Sequence, residues 1–94
     1  MDNLFHLSLP CISIKETTFF YEKIVGTKLG RQTNNWVDVN LFGHQITFTQ
    51  AGRFNFSNPN YVFEGTILPS FHFGIILDQE KCESIYSKLN KMAY

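Results

Sequence analysis

Three residues recur at a fixed distance in this chain: Phe5-His6-Leu7 near its start and Phe71-His72-Phe73 near its end, an offset of 66 residues. At the same offset Phe19 falls on Ile85 and Phe20 on Tyr86, so an apolar helical stripe follows each strand. A constant internal offset is the mark of duplicated supersecondary units, none of which buries its apolar face alone. With 94 residues the chain is shorter than the roughly 100–150 residues of a typical domain, which excludes two complete, independent domains. The expectation is a single incomplete domain over 1–94, with a first module at about 4–50, a linker at 51–70 and a partial second module at 71–94.

Alternation and capping chemistry set the elements of the first module. Phe5, Leu7 and Leu9 alternate with His6, Ser8 and Pro10, the period of a half-buried strand, and place His6 on the polar face. Ser13 followed by Glu16 fits a capping box, and Gly26 offers a left-handed stop, which predicts a helix from Ile14 to Val25. A short strand is expected at Lys28–Arg31. Trp36–Phe42 and Gln45–Gln50 then alternate around Gly43 as an antiparallel hairpin. The order is strand, helix, strand, strand, strand: a βαβββ module of α+β class.

The linker is punctuated by Gly52, Asn58-Pro59-Asn60, Gly65 and Pro69, while Phe54, Phe56, Tyr61 and Phe63 suggest that it packs onto something. Phe71–Leu77 reads as a strand. Asp78 then caps a helix whose stripe is Cys82, Ile85, Tyr86 and Leu89, extended by Met92, giving the βα start of a second module. A complete repeat would add three more strands, about forty residues by analogy with the first module. A truncated protein, or an assembly in which a second copy covers the open sheet edge, is therefore expected, most simply a homodimer.

Composition narrows the function. Eight Lys and Arg balance eight Asp and Glu, removing the positive field that draws nucleic acid or anionic lipid. A 44% hydrophobic and 16% aromatic content is enough for a folded core. No secretory leader or apolar span of about 18 residues is visible, so a cytoplasmic, soluble protein is expected, with Cys11 and Cys82 as two buried reduced thiols.

His6 and His72 hold equivalent places in the two modules. Either histidine alone reads as structural; placed symmetrically, two imidazoles on rigid strands suit a facial site for Fe, Mn, Ni or Zn that keeps positions open for substrate. No third ligand is evident, since Glu64 lies in the linker and Glu16, Glu22, Glu80 and Glu83 lie on helices. Trp36, Asp38 and Asn40 share one strand face and are candidates to line a substrate cup, although cross-strand packing explains Trp36 equally well. His44 directly follows the hairpin glycine Gly43 and reads as solvated or bonded to nearby backbone, with substrate contact as the alternative. Neither a nucleophile triad nor a glycine-rich phosphate loop is present.

These residues resemble a known family. Phe5-His6-Leu7-Ser8-Leu9-Pro10, Phe19-Phe20-Tyr21-Glu22 with Val25-Gly26, Gly30-Arg31, Trp36-Val37-Asp38, Leu41-Phe42-Gly43-His44-Gln45 and Pro69-Ser70-Phe71-His72-Phe73-Gly74 are similar to the dioxygenase-like branch of the vicinal-oxygen-chelate superfamily of glyoxalase, bleomycin-resistance and dioxygenase proteins. The resemblance implies two βαβββ modules enclosing a cup, with His6 and His72 as ligands of a divalent metal. The family's glutamate ligand belongs to a last strand that this sequence lacks.

Two functions follow. One is a metal-dependent enzyme, of dioxygenase or lyase/isomerase type, whose cation chelates neighbouring oxygens of a small substrate. The other is a metal-free module binding a small aromatic or drug-like molecule in a cup lined by Trp36, Phe48 and Phe73. An inactive remnant is the third reading. Trp36, Asp38, His44, Phe48 and Phe73 are the candidate substrate-binding residues.

Overall fold

The structure is a computed structural model and describes residues 4–52, 60–69 and 72–93. Its elements are β1 (His6–Cys11), α1 (Ile14–Phe19) running on as a π-helical segment (Phe20–Val25), β2 (Lys28–Gln32), β3 (Trp36–Leu41), β4 (His44–Gln50), β5 (Asn60–Phe63), β6 (Thr66–Pro69) and α2 (Gln79–Lys91). The expected βαβββ module is present, and the class is α+β.

Its sheet runs β1-β4-β3-β2, with β1 parallel to β4 and the other pairs antiparallel. Strand parity decides the core. Leu7, Leu9, Val37, Val39, Leu41, Ile46 and Phe48 project to one face, where Ile14, Tyr21 and Val25 of the helical segment cover them. Val37 and Val39 are fully buried and Ile46 nearly so, while the Tyr21 ring lies 5.0 Å from that of Phe48. Each strand's alternate residues are left on the opposite face, and most of them are polar.

Local chemistry sets the helix ends as expected. The Ser13 hydroxyl accepts from the Glu16 amide at 3.2 Å, and Gly26 takes φ 84° at the far end. The last turn is π-helical because the Gly26 N–H reaches back five residues to the Tyr21 carbonyl, which the Thr27 amide and hydroxyl also engage, each at 2.9 Å. At the β3–β4 hairpin Phe42 and Gly43 take φ 52° and 95°, the two left-handed positions of a primed turn, and the Asn40 carboxamide accepts from the Gly43 amide at 2.8 Å.

Three expectations are corrected. Within 51–70, residues 60–69 form the β5–β6 hairpin around Glu64-Gly65, both at positive φ, and Tyr61 and Phe63 are exposed on it; Phe54 and Phe56 lie outside the described residues. Residues 72–78 carry no strand, although Phe71–Leu77 reads as one; Phe71 lies outside the described residues. Ile75 is instead drawn onto the apolar core, a side-chain contact that needs no ladder partner. Cys11 is buried, but Cys82 is exposed, its helix burying none of its residues fully; both thiols are free.

The second helix begins where expected, with the Asp78 carboxylate accepting from the Lys81 amide at 2.9 Å. It packs beside the end of the first helical segment, where Lys88 Nζ would lie 3.7 Å from a Cβ placed on Gly26.

Candidate functional site

The polar face of the sheet is built in rows fixed by register. His6, Gln45, Asn40 and Lys28 form one row across β1, β4, β3 and β2; Ser8, Thr47 and Asp38 form the next; Pro10, Thr49 and Trp36 form the third. On β2, Leu29 pairs with Val39 but Gln32 pairs with Val37, so β2 holds one extra residue between these pairs. Such a bulge re-aims side chains. Here it delivers Arg31 to the polar face.

Asp38 is the hub of that face. It is 7% exposed, and both carboxylate oxygens are engaged: Oδ1 accepts from the Thr47 hydroxyl at 2.7 Å and Oδ2 from Arg31 Nε at 3.1 Å. Arg31 also lies over Trp36, with its guanidinium carbon 5.5 Å from the ring centroid. Gly30 lets β2 approach this closely, since a Cβ there would meet the Asp38 Cβ at 3.3 Å. Asp38 therefore holds Arg31 in place.

A cavity of about 440 Å³ opens on this face across all four strands, lined by His6, Arg31, Asp38, Asn40, His44 and Gln45 among others. His6 is exposed, and among the described residues no hydrogen bond or ion pair engages its imidazole. Gln45 is its direct neighbour on β4, with its amide Nε2 3.4 Å from the Thr47 hydroxyl and its amide oxygen turned to no described donor.

His44 serves the chain itself. Its Nδ1 accepts from the Phe5 amide at 3.0 Å, which fixes the Nε2–H tautomer of the neutral ring and ties the lead into β1 onto the hairpin. The Phe5 ring stands edge-on to it at 6.1 Å.

The three aromatics that the sequence gathers into one cup are placed apart. Trp36 is on the polar face. Phe48 is buried on the helix-covered face, where it borders an open groove of about 910 Å³ with Phe20 and Tyr21. Phe73 lines a separate cavity of about 240 Å³ with Phe5, Leu41, His44 and Ile46. None of these three cavities is lined by both His6 and His72. Among the described residues no three His, Cys, Asp or Glu side chains come together as a metal site, and none of the helices is long and apolar enough to cross a membrane. The sequence alone assigns no role to Arg31, Gln45 or Lys28. The parity of Gln45 was readable from the alternation; that of Arg31 depends on the bulge.

Comparison with solved structures places this architecture. The chain superposes on a glyoxalase/bleomycin resistance protein/dioxygenase from Alicyclobacillus acidocaldarius with a TM-score of 0.73 at 24% identity, over 98% of this chain and 64% of that one. An integron cassette protein from the mobile metagenome of the Halifax Harbour sewage outfall gives 0.68 at 14% identity, over 98% of this chain and 72% of that one. The oxidase ChaP-H2 gives 0.65 at 15%, over 99% and 64%. The chain thus has the fold of the glyoxalase/bleomycin resistance/dioxygenase proteins and spans less than two thirds of the length of the first of these neighbours. No protein-family model and no curated protein matches it.

Proposed function

We propose that this chain is one unit of a soluble, cytoplasmic, divalent-metal-dependent enzyme, of dioxygenase or lyase/isomerase type, that works as a homodimer on a small oxygen-chelating substrate. The observation that carries this reading is His6: an exposed imidazole on a rigid strand, facing a cavity, with no described hydrogen-bonding or ionic partner. A resident cation, Fe, Mn, Ni or Zn, would supply Lewis acidity to the substrate's neighbouring oxygens.

The donor set fits such a cation in part. His6 offers a nitrogen and Gln45, beside it, an amide oxygen. Asp38 is occupied by Thr47 and Arg31 and is not a free ligand. His72 is the second imidazole in this reading, expected from the sequence to converge with His6 in one cup, although it lines none of the three cavities described above. Within the cavity the chain's own residues bind and orient substrate: Asn40 and Gln45 offer amide donors, while Trp36 and Asp38 hold the neighbouring Arg31 in place. Metal analysis of the purified protein tests the reading. Stoichiometric divalent metal that is lost in His6→Ala is expected, and retention of metal by His6→Ala/His72→Ala rejects it.

The second reading, a metal-free module for a small aromatic or drug-like molecule, is favoured by the cavity itself, whose size lies in the range of small-molecule sites. Ligand-induced quenching of Trp36 fluorescence that a chelator leaves unchanged would support it; no quenching by any aromatic ligand would count against it.

A further inference from the structure

Arg31 is 79% exposed yet makes two specific contacts on the polar face. Its Nε is bound to a carboxylate only 10% exposed, its guanidinium carbon lies 5.5 Å from the centroid of the Trp36 ring, and the β2 bulge directs it to the cavity that His6 also lines. A guanidinium has five N–H donors. Asp38 takes the one on Nε, so the Nη1–Nη2 edge, one of the two edges of a guanidinium that can meet a carboxylate with two parallel hydrogen bonds, has no described acceptor on a side chain that is largely exposed.

Charge on this face points the same way. Lys28 and Arg31 stand there against Asp38 as the described carboxylate of the three rows, in a chain whose formal net charge is zero. Arg31 could have been held by an exposed acid at lower desolvation cost. A buried carboxylate with a second donor from Thr47 instead fixes the direction of the fork before any ligand arrives, which reduces the ordering cost of binding.

We infer that Arg31 is the anchor for a carboxylate group on the small molecule that occupies the polar-face cavity. The inference rests on the reading of that face as a small-molecule site and adds a substrate class to it. Asp38 and Trp36 are positioning residues; the other end of the ligand lies toward His6, Asn40 and Gln45.

The test uses benzoate and its uncharged counterpart benzamide as probes, titrated into the whole chain with excess EDTA. Binding is read by calorimetry and by the fluorescence of Trp36, the single tryptophan. Saturable benzoate binding is expected, at least tenfold tighter than benzamide. Arg31→Lys keeps the charge but not the fork, and should weaken benzoate at least tenfold with an unchanged thermal transition. Equal binding of the two probes, absence of benzoate binding, or an Arg31→Lys affinity within twofold of the parent overturns the inference. Should Arg31→Lys unfold, Trp36→Phe, read by calorimetry, replaces it: weaker benzoate binding supports an anchor positioned by the Trp36 ring and unchanged binding overturns it. A protein that holds its metal yet takes no benzoate rejects this inference alone. One that binds benzoate through Arg31 and never retains metal rejects the metal-enzyme reading alone.

Discussion

The two partners of Asp38 should contribute very unequally to stability, and the order is opposite to what counting ion pairs suggests. Thr47→Val keeps the shape of the side chain and removes the 2.7 Å hydroxyl donor, leaving Oδ1 of a buried carboxylate without a described donor. A hydrogen bond to a charged group contributes about 1.5–3 kcal/mol, so the loss should be about 2 kcal/mol. Arg31→Met removes a formal charge pair, but the guanidinium is 79% exposed and the pair is screened by water. Its loss should be at most about 1 kcal/mol, as for surface pairs generally. For a domain of this size about 2 kcal/mol lowers the melting temperature on the order of 10 °C. Urea unfolding of both variants at constant m, followed by Trp36 fluorescence and far-ultraviolet dichroism, measures the difference. Raising the salt to about 0.5 M should shrink the Arg31→Met loss and leave that of Thr47→Val, since short screening lengths act on exposed charges. A larger loss in Arg31→Met than in Thr47→Val would refute the account of Asp38 as a carboxylate fixed chiefly from β4.

Burial raises the Tyr21 hydroxyl above its ordinary value of 10.0. The unfolded chain then loses this proton first, so stability from this group is complete below pH of about 10 and falls as pH rises toward the folded value. Tyr21→Phe should flatten that alkaline decline, checked by urea midpoints between about pH 8 and 11. Ser13→Ala removes the N-cap acceptor of the first helix and should cost about 1 kcal/mol by denaturant unfolding. Ile46→Val, at a nearly fully buried position, should cost about 0.5–1.5 kcal/mol in the same assay. A thiol reagent should label one cysteine in the native protein, Cys82, with Cys11 reacting only after unfolding; mass spectrometry of the labelled peptides identifies which. His6→Ala, at an exposed position without described partners, should shift stability by less than about 0.5 kcal/mol, so that any loss of metal reports on ligation.

Features set by neighbours in sequence were readable. Ser13, Gly26 and Asp78 cap through atoms a few residues away, and the alternation through Trp36–Leu41 assigns Val37 and Val39 inward and Asp38 outward without knowledge of the partner strands. What was not legible depends on pairing. The β2 bulge exists only relative to β3, so Gly30-Arg31 gives no hint of where its guanidinium ends. The hairpin at Glu64-Gly65 was obscured because Asn60 and Pro69, which read as loop breakers, sit at its two ends. Residues 72–78 show the converse: an apolar run carries strand propensity, but a ladder needs an available edge, and packing of Ile75 on the core satisfied the apolar side chain without one. The same distinction applies to the aromatics. Phe48 and Trp36 are both large and both on the hairpin, yet parity puts them on opposite sides of one sheet.

Register links the two faces physically. A slip of one residue in β3 would bring Asp38 into the apolar layer and expel Val37 and Val39, so burial of those two valines fixes Asp38 opposite Thr47. The apolar side of the sheet thereby determines where the polar side presents its groups, without constraining what those groups are. His6 and Arg31 are exposed ends of that arrangement, and changing them should leave the apolar layer intact. Asp38 is different, because it is buried on the polar face and bonded to both β4 and β2. A substitution there disturbs stability and the aim of Arg31 together, whereas a substitution at Arg31 changes the chemistry offered to a ligand while the sheet beneath it stays as it was.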